Sequence, residues 1–289
     1  MKNIKLNSYA KINLALSIEH KRKDGYHEIK SIMQTISLHD IIKLKKNTKI
    51  ICKINIKNIP TDEKNLAVKA AKTFFNYTKI KGGVKISIKK HIPTKAGLGG
   101  GSSNAAFVLL GLNNLYETKL EKQILLKLAE KIGADVPFLV CGGTSYVKGI
   151  GENVKQIKPI TNFYIVLVKP NFEIKTKEAY SKYDKFYSKN KTLKKDSITN
   201  LIMSIYSEKK IEKISNFFFN DFEKILNFKI IDKIKNKMKK LKALSCNVTG
   251  SGSCLFATFQ NLKTAKKAAK YFKKEKLKTF ICHPIKKYF

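Results

Sequence analysis

The chain has 289 residues, 43% of them apolar and 28% charged, enough for roughly two domains with cores of their own. That composition excludes a disulfide-stapled miniprotein and a collagenous or repeat architecture, and it reads as a folded, soluble protein. The formal net charge is +38, from 59 Lys+Arg against 21 Asp+Glu, which directs attention to anionic ligands.

In chain order, residues 2–18 alternate in polarity. Ile4, Leu6, Ala10, Ile12, Leu14, Leu16 and Ile18 share one face, and Asn7, Tyr9, Lys11 and Asn13 the other; the pattern predicts a half-buried strand whose polar face looks into a cleft. Asp24-Gly25 marks a turn, followed by an extended stretch through Leu38. Helical spacing runs from Asn65 to Phe75, and Gly82-Gly83 leads into a strand over Val84–Ile88. After a glycine-rich loop, helices are predicted over Ser103–Tyr116 and Glu121–Ile132, the second ending at Gly133. Strands and helices do not alternate as a doubly wound sheet requires, so the fold class is α+β. Pro159 and Asn162 precede a strong strand at Phe163–Val168, which divides the chain into domains at 1–160 and 161–289. The second domain adds a helix over Ile230–Leu241, a strand at Cys254–Phe259, a Lys-rich helix at Leu262–Lys274 and a strand near Thr279–Cys282. A small sheet with helices on one face accounts for it.

The charge is easily overread. Arg22 is the only arginine, whereas bidentate recognition of bases and phosphates favours Arg. Lysine is spread along the whole chain, and in Ile230–Leu241 it lies opposite an apolar stripe of Ile230, Ile231, Ile234, Met238 and Leu241. A solvated face and a binding surface both remain open there. Five cysteines (Cys52, Cys141, Cys246, Cys254, Cys282) form no C-x-x-C pair and read as reduced thiols. No apolar run approaches membrane-spanning length, and Met1–Ser8 lacks the apolar core of a secretory signal. A cytoplasmic address follows, with no membrane and no nucleic-acid partner expected.

The most informative segment is Pro93-Thr94-Lys95-Ala96-Gly97-Leu98-Gly99-Gly100-Gly101-Ser102-Ser103-Asn104-Ala105-Ala106. It follows a strand and opens a helix. Glycines let a ligand approach the backbone, and the unpaired N–H groups of a helix start attract anions, so the segment reads as a phosphate cradle. It fits neither the Walker A spacing nor the dinucleotide G-x-G-x-x-G spacing. A flexible turn capped by Ser102 or Ser103 is the plain alternative.

This segment resembles the second motif of the GHMP kinases, a family of small-molecule kinases. Ala10-Lys11-Ile12-Asn13-Leu14 resembles the family's first motif, and Thr249-Gly250-Ser251-Gly252-Ser253-Cys254 its third. Three further segments, Asp24-Gly25-Tyr26-His27-Glu28, Gly133-Ala134-Asp135-Val136-Pro137-Phe138 and Gly149-Ile150-Gly151-Glu152, resemble the branch of the family whose acceptor is a cytidine-diphosphate-linked sugar alcohol.

The resemblance implies a two-domain fold, with an N-terminal half like domain 2 of ribosomal protein S5 and a ferredoxin-like C-terminal half. ATP is implied as co-substrate, bound along Pro93–Ser103, with Mg²⁺ to neutralise its phosphates. Asp135 is implied as the general base and Lys11 as its cationic neighbour, able to steady the developing alkoxide and the transferring phosphoryl group. Asp135 is equally placed to cap a helix ahead of Val136-Pro137. Tyr26 would stack on the cytosine and His27 would hydrogen-bond its edge, with Tyr180 as a second aromatic wall where the family pattern has Phe. Asn13 and Thr176 would contact the sugar alcohol or diphosphate. Gly250, Ser251 and Gly252 would support the phosphate site, although Thr249 and Ser253 depart from the usual residues beside them. Lys90 or His91 would lie near the adenine. No metal-ligand set is evident beyond Ser102 as a candidate. Monomer and homodimer are both compatible with the sequence.

Overall fold

A computed structural model describes residues 3–189, 197–208 and 210–288. The first half runs β1 (Asn3–Lys21), β2 (His27–Asn47), β3 (Ile51–Ile54), α1 (Leu66–Thr78), β4 (Gly83–Lys89), α2 (Gly100–Leu115), α3 (Lys122–Glu130), α4 (Val136–Cys141), β5 (Thr144–Gly149) and β6 (Asn153–Gln156). The second continues with β7 (Tyr164–Lys169), α5 (Thr176–Lys189), α6 (Ser197–Ser207), α7 (Ile211–Ile214), β8 (Phe219–Asn220), α8 (Lys229–Lys240), β9 (Ser245–Val248), β10 (Leu255–Phe259), α9 (Leu262–Lys274) and β11 (Lys278–Cys282).

The first sheet has the order β3-β4-β2-β1-β8, with β5 beside β2 and β6 beyond it. Strand β2 is long enough to serve two neighbours, pairing β5 through residues 29–34 and β4 through residues 41–47. The second sheet, β11-β7-β10-β9, is wholly antiparallel. Its strands and helices α8 and α9 follow one another as βαββαβ, the ferredoxin-like order.

The molecule is layered. Helices α1 to α4 cover the first sheet over a core that includes Phe74, Leu109, Phe138 and Ile86. A second core, with Ile12, Leu14, Ile36, Phe163, Leu167, Leu201 and Phe256, lies between the two sheets. The far face of the second sheet buries Val166, Val168 and Phe259 against Ile231, Ile234 and Met238 of α8 and Ala265 and Phe272 of α9. Each fully buried side chain of this size contributes roughly 1.5–3 kcal/mol.

Strand β1 departs from the half-buried expectation. It alternates only near its start, and from Ala10 to Ile18 every residue is buried. The second sheet covers one face, and the glycine loops cover the other, where Lys11 and Asn13 lie. Residue 2, at the start of the predicted strand, lies outside the described residues. Helix α2 begins at Gly100 rather than Ser103, because Gly99 takes a left-handed conformation (φ 66°) that starts the helix early. Backbone pairing joins the halves of the chain in two places among the described residues, besides side-chain contacts. Strand β8 joins the first sheet parallel to β1, and the last residues return to β2, where Ile285 N–H donates to Thr35 O (2.9 Å) and Pro284 bridges Ile36. No helix among the described residues is long and apolar enough to cross a membrane.

Candidate active site

A cleft of about 1270 Å³ is lined by both glycine-rich segments, the start of α4, the turn before β2, and α5. It exceeds the 300–1,000 Å³ usual for one small ligand, so it has room for two. The cations Lys11, Lys21, Lys64, Lys90, Lys95 and Lys177 outnumber the acids Asp24, Asp135 and Asp184 on its wall, a balance suited to polyphosphates.

The glycine loop and α2 form one side. Pro93, Thr94, Lys95, Ala96, Gly97, Leu98, Gly99, Gly100, Gly101 and Ser102 all face the cleft. Lys11 N–H donates to Leu98 O (3.1 Å), which ties β1 to the loop. Gly97 has φ +73°, and a Cβ there would stand 2.1 Å from Thr249 O, so the two glycine-rich segments meet backbone to backbone. A Cβ on Gly99 would come within 2.9 Å of the Lys11 side chain. The first N–H groups of α2 are thus held at the cleft with no side-chain cap on them.

Ser103 and Gly252 depart from the predicted set. The Ser103 hydroxyl points away, donating to Tyr9 O (2.6 Å) and meeting Ser8 Oγ (2.7 Å), because one turn into α2 its side chain faces β1. Gly250 and Ser251 line the cleft, whereas Gly252 packs toward Ile174, Val248 and Leu226 behind it.

At the centre, Lys11 Nζ donates to Asn13 Oδ1 (2.8 Å) and lies 3.5 Å from Asp135 Oδ2. Lys11 is 5% exposed and Asp135 31%, so the ammonium is enclosed while the carboxylate opens on the cleft. Asp135 stands at the N-cap of α4, yet its side chain makes no capping hydrogen bond. The helix is opened instead by Pro137 and by Val136 N–H donating to Gly133 O (3.0 Å). Capping is therefore not what holds this carboxylate. Asn13 does more than contact a ligand: Oδ1 also accepts from Gly250 N–H (3.0 Å), and Nδ2 donates to Ser31 Oγ (2.9 Å). One buried amide fixes Lys11 and the third-motif loop together.

The other end is aromatic. Tyr26 is 61% exposed at the rim. His27 is buried and stacks on Tyr180, centroids 4.5 Å apart at 16°, and Phe222 meets Tyr180 edge-on. Burial, with the Asp135 charge adding to it, pushes the Tyr180 hydroxyl up to about 12. Thr176 Oγ1 lies 3.0 Å from Ser251 Oγ, closing α5 onto the third-motif loop.

Sequence reasoning missed the wall beyond the glycine loop. Ile54, Ile59, Pro60 and Leu66 line an apolar recess there, with Lys64 and Asn65 beside it. Ile54, Ile59 and Pro60 precede the helical spacing that begins at Asn65, and no period marks them. Lys90 reaches this region, but its ammonium is held by Asp40 and Asn104. His91 lies outside the cleft lining, its Nδ1 against His39 O (3.1 Å).

Among the described residues no group of three His, Cys, Asp or Glu side chains could hold a metal ion. The oxygen-bearing side chains on the cleft wall include those of Asp135, Asn13, Thr94, Ser102, Thr176 and Ser251, of which Asp135 alone is a carboxylate. Such a set does not fit a resident divalent ion; it fits one that arrives with most of its ligands supplied by phosphate.

Known proteins share the sequence and the fold of this chain. Residues 65–143 match the GHMP kinases N terminal domain, and residues 210–278 match GHMP kinases C terminal. The chain is similar to a 4-diphosphocytidyl-2-C-methyl-D-erythritol kinase of Clostridium perfringens, 41% identical over 276 residues and 93% of each chain. It is also 41% identical over 282 residues to the enzyme of that name from Caldicellulosiruptor bescii, covering 96% of this chain and 95% of the other. A crystal structure of 4-(cytidine 5'-diphospho)-2C-methyl-D-erythritol kinase superposes with a TM-score of 0.79 at 27% identity, over 97% of this chain and 99% of that one. Methanococcus jannaschii mevalonate kinase, 21% identical with a TM-score of 0.78 over 98% and 99% of the chains, shares the fold. The cradle, the Lys11/Asp135 pair and the aromatic end thus lie on a shared scaffold, and the chain belongs to the 4-diphosphocytidyl-2-C-methyl-D-erythritol kinase family of the GHMP kinases.

Proposed function

We propose that the protein transfers the γ-phosphoryl group of Mg-ATP to the C2 hydroxyl of 4-diphosphocytidyl-2-C-methyl-D-erythritol, giving the 2-phosphate in the non-mevalonate route to isoprenoid precursors. The observation that carries this reading is the position of the Lys11/Asp135 pair, between a phosphate cradle on one side and an aromatic recess on the other. An acceptor with its base among Tyr26, His27 and Tyr180 would lay its sugar alcohol past Thr176 and Asn13 toward Asp135. The adenine would occupy the recess of Ile54, Ile59, Pro60 and Leu66.

The chemistry asked of the protein is positioning and charge stabilisation. Asp135 takes the C2 hydroxyl proton as the oxygen attacks. Lys11, anchored by Asn13, steadies the charge that develops between that oxygen and the phosphoryl group. The N–H groups of Gly100 to Ser102 at the start of α2 receive the phosphate oxygens, and Gly250 and Ser251 close the site from the second half. A magnesium ion bound with ATP would neutralise part of the phosphate charge, with the Ser102 hydroxyl as its candidate protein ligand. Division of the chain near residue 160 follows the same arrangement: the first part supplies cradle and base, the second the third-motif loop and the α5 wall. ATP is a cytoplasmic metabolite and the five cysteines are unpaired, which supports a cytoplasmic address.

The test is an ADP-release assay with Mg-ATP, offering the cytidylyl acceptor beside homoserine and mevalonate. Turnover with the cytidylyl acceptor alone is expected. Turnover with another alcohol would overturn the substrate assignment, and silence with all three would overturn the kinase reading. Asp135→Asn should lower kcat by roughly 10²–10⁴ while a nucleotide titration stays unchanged; retained activity would remove Asp135 as the base.

A further inference from the structure

Helix α5 carries Thr176, Tyr180 and Asp184 at successive four-residue intervals, and all three face the cleft. The first two have ligand-contact roles in the proposed reading. Asp184 reaches the cleft through His27: Asp184 Oδ1 lies 2.5 Å from His27 Nε2, and Lys21 Nζ donates to Asp184 Oδ2 (3.2 Å). Burial pushes the Asp184 carboxyl up, but the hydrogen bonds from His27 and Lys21 outweigh it, and the group lies below its usual value. An ionised carboxylate only accepts hydrogen bonds, so the proton between the two groups resides on Nε2.

The rest of the imidazole is equally constrained. Its face is stacked on Tyr180, and its main chain pairs with Lys21. His27 lines the cleft, and among the described residues its side-chain hydrogen bond to the protein is made through Nε2, which leaves Nδ1 for a ligand. In the Nε2–H tautomer of an imidazole, Nδ1 is a bare acceptor.

We propose that Asp184 is a positioning residue that selects the nucleobase of the acceptor: by holding His27 in the Nε2–H tautomer it turns Nδ1 into an acceptor for the exocyclic amino group of cytosine. Uracil carries a carbonyl at that place and would meet lone pair with lone pair. The inference rests on the cytidylyl-acceptor reading above and adds the group that enforces it.

Two measurements test it. In the first, kcat/KM is compared for the cytidine-linked acceptor and its uridine-linked analogue. The wild type should prefer cytidine by roughly 10²-fold or more. Asp184→Ala should cut that preference below about tenfold, mainly through a higher acceptor KM, with the KM for ATP within about twofold. Asp184→Asn should keep most of the preference, since its amide oxygen accepts the same hydrogen bond. A folded Asp184→Ala protein with undiminished preference overturns the proposal and leaves the kinase reading standing. A wild type that does not use the cytidine acceptor overturns both. The second measurement does not depend on how the variants fold. Imidazole ¹⁵N shifts of the wild type, with the His27 signals assigned by their loss in His27→Gln, should show the Nε2–H tautomer at neutral pH. An Nδ1–H tautomer or an imidazolium overturns the proposal.

Discussion

Asn13 shows how much one side chain can carry. Its amide joins Lys11, Ser31 and the Gly250 N–H, so Asn13→Ala leaves the buried Lys11 ammonium with Asp135 as its remaining side-chain partner among the described residues and loosens both glycine segments at once. The variant should lose about 1–3 kcal/mol of stability, and its kcat should fall more than its affinity for ATP, as melting and steady-state kinetics would read. The cysteines are opposite in character. Burial raises Cys52 to about 11 and Cys246 and Cys282 to about 12, and it raises Cys141 and Cys254 as well. A thiol whose pKa is raised on folding adds stability that is complete below its ordinary value of 9.0 and lost as pH rises through the folded value. Melting temperature should therefore fall between pH 9 and 12, and at pH 7.5 maleimide should label the native protein far more slowly than the denatured one. The glycine-rich segment stood out by composition, whereas the roles of Lys11 and Asp135 were implied only by the resemblance to the GHMP kinases. Asp184 was not legible, because one acid on a polar helix means nothing until the partner of His27 is known.

Among the elements, those with a strong period were readable and those defined by partners were not. Helix α9 runs from Leu262 to Lys274 as its spacing predicts, and Asn65 caps α1 by accepting from Ala67 N–H (2.9 Å). The hairpin of β5 and β6 escaped sequence reading. Its turn is the Gly149–Glu152 motif itself, where Ile150 N–H donates to Glu152 and Gly149 N–H donates to Glu28 (3.1 Å). Two segments noticed separately thus meet in one turn. The C-terminal segment also acquires meaning only from its partners. Tyr288 lies over the end of α4, and a Cβ on Gly142 (φ +67°) would stand 2.6 Å from its ring. Gly142→Ala should displace this segment and lower stability by roughly 1–3 kcal/mol, read as a drop in melting temperature. Because Asp135 is the N-cap of α4, kcat should fall as well. Unchanged turnover in a destabilised Gly142→Ala protein would show that the segment supports the fold without reaching the base.

For the molecule as a whole, +38 charges on 289 residues repel one another across the surface. Raising ionic strength from about 0.01 M to 0.15 M shortens the screening length from about 30 Å to about 8 Å, so the melting temperature should climb with added salt. The same screening should raise KM for both anionic substrates, because the cleft wall is lysine-rich. A melting temperature that falls with salt would mean that the ion pairs outweigh the repulsion. The α+β class and the second sheet were readable from the order of the elements and from strand periodicity. How tightly the halves are joined was not, since a two-residue strand such as β8 carries no pattern of its own. That joining bears on how such genes can change. Gly97 and residues 249–250 touch backbone to backbone, and Asn13 spans the same seam. A recombination crossover near residue 160 would couple a cradle from one parent to a loop fitted to another. Such hybrids should assemble poorly unless both parents share that seam, which makes the pair of loops a single unit of inheritance spread across most of the chain.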